Sequence, residues 1–187
     1  MDFVGVLHSM HTLRWFLVIL FAAGSSSLLP AQKEQRQVLT QSEVEAIREA
    51  GIFPNDRINL YTKYVDEHAQ AIKSLSNRAS SPGRARKLDN ELLDITALMD
   101  ELGSNLDQYG DRKADIRAAL KKLNEAAPEW VRILNALAGE PTFDESRKEA
   151  IESCEDLADD AKRLQTEQID YFNQHKDERG QERAEPN

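Results

Sequence analysis

The sequence predicts an all-α protein, an antiparallel bundle of four long helices in up-down-up-down order with coiled-coil-like packing, preceded by one short helix. Apolar residues recur at intervals of three and four through four long segments, which is the period of an α-helix. Short turns containing Gly, Pro, Ser or Asp separate these segments, and no stretch of useful length alternates with the period of a strand. The length of 187 residues suits one domain of ordinary size. The alternative arrangement is an elongated pair of helical hairpins that completes its core only as a dimer.

Residues 1–31 are predicted to be a signal peptide. Arg14 directly precedes the apolar run 15–23, which is much shorter than the roughly 20 residues that span a bilayer. Small residues follow this run, and we expect cleavage after Ala31, with Ser27 as the second choice. The mature protein is therefore expected to be extracytoplasmic, either periplasmic or secreted, with no stable membrane span. An uncleaved N-terminal anchor is the alternative.

The mature chain is predicted to be acidic. The full chain has a formal net charge of −9, and Asp2 and Arg14 cancel when the signal peptide leaves, so this value does not change. An acidic protein has no bulk attraction to nucleic acids or anionic membranes, and no nucleic-acid partner is expected. The single cysteine, Cys154, cannot form an internal disulfide. The fold must be held by packing alone, or Cys154 must pair between chains.

One short helix is predicted at the start of the bundle domain, residues 40–175, after a polar lead at residues 32–39. Thr40 and Glu43 have the spacing of a capping box, in which each side chain accepts a hydrogen bond from the other residue's backbone N–H. Gly51 is predicted to end this helix.

Four long helices are predicted to follow. Asn55 is the expected N-cap of the first, and the turns at residues 80–83, 109–111 and 139–141 separate the others. The apolar pattern continues through Pro128, which predicts one helix that is kinked or briefly interrupted there.

The last of these helices is predicted to be the longest. Residues 142–145 have the pattern of a second capping box before it, with Thr142 as the cap. Residues 176–187 are polar without an apolar face and are predicted to form a disordered tail.

The spacing of the apolar residues also predicts the core of the bundle. Leu92 and Leu120 lie mid-seam on their helices. In chain order, the predicted core positions are Ile58, Tyr61, Val65, His68, Ile72, Leu75, Leu88, Leu92, Ile95, Met99, Leu102, Leu106, Ile116, Leu120, Leu123, Ala127, Trp130, Leu134, Leu137, Phe143, Ala150, Cys154, Leu157, Ala161, Leu164 and Tyr171.

No catalytic motif stands out in the sequence. It contains no G-x-S-x-G elbow, no phosphate-binding glycine loop, no H-E-x-x-H and no C-x-x-C-H. The di-iron motif of helical bundles is missing too, because Val65 rather than Glu lies three residues before His68. Cys154 is predicted to be a small core residue rather than a nucleophile. A non-enzymatic protein without a cofactor is therefore predicted, with no catalytic residues.

His68 and Met99 are the candidate ligands for the alternative, a bundle that binds haem or another small ligand. Both occupy predicted core positions, and an inward His and Met can ligate non-covalent haem in an exported four-helix bundle. Mirrored about the turn at residues 80–83, His68 should face Ile95, about one helical turn from Met99. A core histidine bonded to a polar neighbour is the simpler interpretation.

Basic residues cluster around the turn between the first two long helices, a region that we call the basic tip. Its members are Lys73, Arg78, Arg84, Arg86 and Lys87. We expect this surface to meet an anionic partner. We also expect charge reversal at Arg84, Arg86 and Lys87 to abolish that binding without lowering the melting temperature. A solvated hairpin end is the simpler interpretation.

An acidic stripe is predicted on the outward face of the last long helix. Its members are Glu145, Glu149, Glu152, Asp156 and Asp159. Like charges at this spacing repel one another, and divalent cations or a basic partner would relieve the repulsion. These residues are therefore weak candidates for metal ligands, and a solvated outer face is the simpler interpretation.

The sequence as a whole predicts an exported, non-enzymatic helical bundle that binds or scaffolds another macromolecule, most simply a protein. A homodimer is left open. The alternative function is binding of a small ligand, haem or a divalent cation.

Overall fold

The protein is an all-α bundle, as predicted. The computed structural model describes residues 37–180, in which five α-helices pack against one another and no strand occurs. The predicted signal peptide and residues 32–36 of the polar lead lie outside the described residues, as do residues 181–187. The α-helices are α1 (Gln41–Glu49), α2 (Pro54–Ser76), α3 (Pro82–Asp111), α4 (Arg117–Ala136) and α5 (Asp144–Gln174), and short 3-10 helices span Ala50–Ile52 and Lys176–Glu178.

The neighbour relations within the bundle differ in part from the prediction. The pairs α2–α3 and α4–α5 form hairpins, α2 also packs on α4, and α3 packs on α5. The Ser146 hydroxyl donates to Asp89 and the Ser153 hydroxyl donates to Asp100, and this order of contacts shows that α3 and α5 run in the same direction. Two of the four neighbouring pairs are therefore parallel, and the prediction that all neighbours are antiparallel is wrong for them. The reason is that the connection between α3 and α4 crosses the end of the bundle diagonally.

Side chains from two other helices hold this crossing, residues 112–116. Gln168 on α5 donates to the Ala114 carbonyl at 2.7 Å and accepts from the Ile116 N–H at 3.0 Å. Asn55 donates to the Asp115 carbonyl at 2.8 Å and accepts from the Ala119 N–H, in the first turn of α4, at 3.0 Å. The prediction that Asn55 caps its own helix is wrong, because Phe53 occupies the N-cap position of α2 and Pro54 begins the helix.

The end of α3 also lies later than predicted. Tyr109 and Gly110 are helical and buried instead of forming a turn. The chain leaves the helix at Lys113, whose φ of 55° is the left-handed conformation that ends many helices. A Cβ at Gly110 would lie 3.0 Å from Leu164 Cδ1, so a side chain there would require the end of Leu164 to shift.

The core closes within a single chain, so the fold does not require a dimer. Nearly all predicted core positions are buried, including Leu92 and Leu120 at 0% exposure. The two exceptions are each one position out of register: Ala69 is buried where His68 was predicted, and Phe172 is buried where Tyr171 was predicted. Both predicted residues lie beside the core with their polar atoms hydrogen-bonded at its edge.

The helix ends test the remaining local predictions. The capping box of α1 is confirmed, with the Thr40 N–H donating to Glu43 and the Glu43 N–H donating to Thr40 Oγ1. The prediction of one helix across Pro128 is confirmed, and α4 runs from Arg117 to Ala136 without an interruption at that residue. The second capping box is wrong, because Phe143 is the N-cap of α5 and makes no side-chain cap.

The start of the C-terminal tail contacts the bundle. The Arg179 guanidinium donates to the Phe172 carbonyl at 2.8 Å, and the Gly180 N–H donates to Asp115 Oδ2 at 2.8 Å. Residues 176–180 therefore do not match the predicted disorder, because their polar groups find partners on α5 and on the crossing segment. Within the part of the chain described, no helix is both long and apolar enough to cross a membrane.

Candidate functional site

The structure does not bring His68 and Met99 together. His68 Nδ1 lies 2.7 Å from Glu91 Oε2 at the half-buried edge between α2 and α3. Met99 is eight residues further along α3 than Glu91, about 12 Å at the rise of an α-helix, and lines a groove toward α5. The predicted pair therefore cannot hold one ligand between them, and the simpler interpretation of His68 as a bonded histidine describes its position.

The basic tip divides into residues that the fold uses and residues that it does not. Lys73 lies 3.2 Å from Glu129 on α4, and this carboxylate also binds Arg132. These two cations, Arg132 the more strongly, lower the pKa of Glu129 to about 2. Lys73 is thus already paired with a neighbouring helix.

Arg84 is a structural residue, contrary to the prediction that it is available to a partner. Its Nε donates to the Leu75 carbonyl at 3.0 Å and its Nη2 to the Ser76 carbonyl at 3.4 Å, which satisfies carbonyls at the C-terminus of α2. Its Nη1 binds Glu140 in the connection between α4 and α5. The side chain is only 11% exposed. Reversing its charge would therefore lower the melting temperature. This corrects the expectation that charge reversal at Arg84, together with Arg86 and Lys87, leaves the melting temperature unchanged.

The other three cations of the tip are exposed. Arg78, Arg86 and Lys87 make no side-chain hydrogen bond or ion pair with any group among residues 37–180. They are the part of the basic tip that can meet a partner without disturbing the fold.

The acidic stripe is exposed, as predicted, but it does not form a metal site. No group of three His, Cys, Asp or Glu side chains in the described chain is close enough to hold a metal ion. The reason is that the five carboxylates follow the helix axis instead of converging, and Asp159 turns to an ion pair with Lys162 at 3.3 Å. The weak metal prediction for Glu145, Glu149, Glu152, Asp156 and Asp159 is therefore not supported.

Part of the stripe instead forms one wall of a groove between the parallel helices α3 and α5. The groove has a volume of about 430 Å³. Its lining also includes Gly103 and the buried side chains of Met99 and Leu157, which are only 1% and 4% exposed. Its acidic walls comprise Asp100 and Asp107 from α3 and Glu149, Glu152, Asp156 and Asp160 from α5.

Most of this negative charge is uncompensated. Asp160 pairs with Arg163, and Asp100 accepts a hydrogen bond from Ser153. The remaining four groove carboxylates, those of Asp107, Glu149, Glu152 and Asp156, have no hydrogen bond or ion pair with any described residue. Sequence reasoning missed Asp100 and Asp107, although their spacing of seven residues places them on one face of α3.

Cys154 is buried at 0% exposure, and burial raises the pKa of its thiol to about 12. It is therefore a core residue, as predicted, and it cannot pair between chains without opening the bundle. Burial also raises the pKa of Tyr61 to about 12, with help from its hydrogen bond to Glu101.

Asp115 links two segments at the end of the bundle that lies opposite the basic tip. Its carboxylate accepts from Arg117 at 2.8 and 2.7 Å and from the Gly180 N–H at 2.8 Å. The hydrogen bonds from Arg117 lower the pKa of Asp115 below its ordinary value of 3.8, against the opposing effect of burial. This carboxylate joins the crossing segment to the start of the C-terminal tail.

Stability should therefore depend on Asp115 in acid. A carboxyl group whose pKa is lowered by folding stabilises the folded state above its unfolded pKa, near 4, and this contribution disappears as the pH falls through the folded pKa. We expect wild type to melt higher than Asp115→Asn at pH 7, and the difference to shrink steadily below about pH 4. Thermal melts of both proteins from pH 7 to pH 2 measure this difference. A gap that stays constant with pH would show that the ionised carboxylate does not provide the stabilisation.

Comparison with known proteins adds no relationship. The chain matches no protein-family model, and no curated protein and no solved structure is significantly similar to it. The class that the fold defines is an all-α helical bundle.

Proposed function

We propose that this chain is an exported, non-enzymatic protein that binds or scaffolds another protein through exposed charged surfaces. The observation that carries the proposal is the set of unpaired cations at the basic tip. Arg78, Arg86 and Lys87 are exposed at one end of a protein whose net charge is −9. These three side chains take no part in the packing of the bundle. They are therefore available to contact a partner protein.

The distribution of charge would favour the approach of an anionic partner to the basic tip. A small basic surface on an acidic molecule creates a charge asymmetry that orients an anionic partner toward the tip during approach. Single exposed contacts contribute only about 0.2–1 kcal/mol each, so the cations must act together. Because exposed charges are screened beyond about 10 Å at 0.1 M salt, binding at the tip should weaken as the salt concentration rises.

The test compares two pairs of adjacent exposed cations. Arg86→Glu with Lys87→Glu alters the tip, and Lys121→Glu with Lys122→Glu makes the same charge change on α4, near the opposite end of the bundle. We expect the tip variant to reduce recovery of the bound protein from the exporting cell by about tenfold, which corresponds to about 1.4 kcal/mol. The α4 variant should leave recovery unchanged. Equal recovery by both variants at low salt would refute the role of the tip.

A further inference from the structure

The segment that follows α5 contacts the end of the bundle opposite the basic tip. We call this segment, residues 175–180, the C-terminal strap. The Gly180 N–H donates to Asp115 Oδ2 at 2.8 Å, and Asp115 belongs to the crossing between α3 and α4. The Arg179 guanidinium donates to the Phe172 carbonyl, in the last turn of α5, at 2.8 Å. The strap is therefore fastened to two parts of the bundle that are far apart in the sequence.

Gly180 has the backbone conformation that brings its N–H to Asp115. Its φ of 73° lies in the left-handed region, which glycine adopts readily and other residues rarely adopt. A Cβ at this position would meet no atom of the described chain within 4 Å, so the preference for glycine comes from the backbone and not from a lack of space. An alanine here would thus weaken the bond to Asp115 without any clash.

The strap reaches Phe172 by two routes. Phe172 is 0% exposed, yet it does not belong to the contiguous apolar core of the described chain. The Arg117 guanidinium covers its ring, with Cζ 4.8 Å from the ring centroid. Asp115 binds that guanidinium at 2.8 and 2.7 Å and also accepts from Gly180. The strap thus holds the carboxylate that positions the cover of the ring, while Arg179 holds the backbone of the same residue.

We infer that the C-terminal strap is a movable cover, which opens while the five helices stay folded and thereby exposes the ring of Phe172. Residues 173–180 contain no apolar side chain, so closing the strap buries little apolar surface of its own. Its hydrogen bonds lie at or near the surface, where water can replace them, and such bonds contribute little net free energy. Segments held in this way open locally at a much lower cost than the unfolding of the whole domain.

The open state would present a defined chemistry at this end of the bundle. The exposed ring of Phe172 would lie beside Arg117, which stays paired with Asp115 through its own two hydrogen bonds. An aromatic ring next to a guanidinium suits an occupant that is both apolar and anionic, such as the dye anilinonaphthalene sulfonate. The inference does not depend on the proposed binding function, because it concerns the end of the bundle opposite the basic tip.

Amide hydrogen exchange, followed by nuclear magnetic resonance on the purified protein, tests whether the strap opens by itself. We expect the His175 amide to exchange through an opening that low urea concentrations do not promote, whereas the Leu92 amide exchanges only by global unfolding. Gly180→Ala should speed exchange at His175 about fivefold, because alanine resists the left-handed conformation. Gly83→Ala adds a methyl group in open space on α3 and should leave that exchange unchanged. Exchange of His175 and Leu92 through one common opening would overturn the inference, and so would an unchanged rate in Gly180→Ala.

Two truncations test whether the strap covers Phe172. A chain that ends at Gln174 lacks the strap, and a chain that ends at Gly180 retains it. We expect the shorter chain to keep its helical circular dichroism and a cooperative melt, and to raise dye fluorescence about threefold or more over the longer one, since the dye fluoresces on exposed apolar surface. Adding Phe172→Ala to the shorter chain should abolish this gain. Loss of the helices in the shorter chain, equal fluorescence of the two chains, or a gain that persists with Phe172→Ala would each overturn the inference.

Discussion

Replacing Leu92 by aspartate is expected to unfold the protein at ordinary temperatures. Leu92 is 0% exposed and lies mid-way along the face of α3 that enters the core. An ionised carboxylate placed there would lose its hydration without gaining a partner, at a cost of several kcal/mol. That cost is comparable with the total free energy of unfolding of a typical domain, about 5–15 kcal/mol. Circular dichroism during thermal and urea unfolding measures the effect.

The adjacent residue provides a matched control. Leu93 is 39% exposed, so Leu93→Asp makes the same chemical change one position around the helix with little loss of burial. We expect it to alter the free energy of unfolding by less than about 1 kcal/mol. Leu120→Asp, at 0% exposure on α4, should behave like Leu92→Asp. Similar melts for the Leu92 and Leu93 variants would contradict the assigned register of α3.

Reversing the charge of Arg84 is expected to destabilise the fold by about 3 kcal/mol or more. The variant Arg84→Glu loses the donors to two carbonyls at the end of α2, and charged hydrogen bonds contribute about 1.5–3 kcal/mol each. It also places a carboxylate next to Glu140, where the arginine now forms an ion pair. The ends of α2 and of the α4–α5 connection should loosen together. Urea unfolding of the purified variant measures the loss.

The control for this prediction lies two residues further along α3. Arg86 is exposed and has no partner in the described chain, so Arg86→Glu should leave the free energy of unfolding within about 0.5 kcal/mol of wild type. Arg84→Lys should recover only part of the loss, because lysine cannot match the directions of the guanidinium donors. If Arg84→Glu and Arg86→Glu unfold alike, Arg84 is only another solvated cation of the tip.

The apolar spacing was sufficient to predict the helices and most of the core, although it missed buried residues such as Leu98 and Ile133. A helical period determines which side chains share a face, and Leu88, Leu92 and Ile95 are buried at the positions where that period places them. The errors at His68 and Tyr171 are single steps in register. At each place the apolar residue of an adjacent pair is buried, Ala69 beside His68 and Phe172 beside Tyr171. The residue with a polar group lies at the edge of the core, where that group can form a hydrogen bond.

Contacts between helices could not be predicted in the same way. Asn55, Arg84 and Gln168 all satisfy backbone groups that lie on another element. Their partners depend on which helices are neighbours, and the diagonal crossing of residues 112–116 decides that order. The same limitation hid the groove, since its two walls come from α3 and α5, which are far apart in the chain and side by side in the bundle.

The sequence predicted where charged residues cluster, but it did not predict which of them are exposed. Clustering in the sequence correctly placed five cations near one turn, but the local pattern does not distinguish the partly buried Arg84 from the exposed Arg86. That distinction depends on the carbonyls and on Glu140, which only the folded chain brings to Arg84. The structure thereby separates cations that bond to other parts of the bundle, such as Arg84, from cations such as Arg86 that make no such contact among the described residues.

Photo-crosslinking in extracts of the cells that produce the protein tests most directly whether Arg78, Arg86 and Lys87 meet a partner protein. A photoreactive phenylalanine analogue would replace Arg86 at the tip, and in a second variant it would replace Lys121 on α4, where the exposed surface is not expected to bind. The predicted result is an adduct of defined mass from position 86 that weakens as salt rises, with no such adduct from position 121. Adducts of equal yield from both positions, or none from position 86, would contradict a binding function for the basic tip.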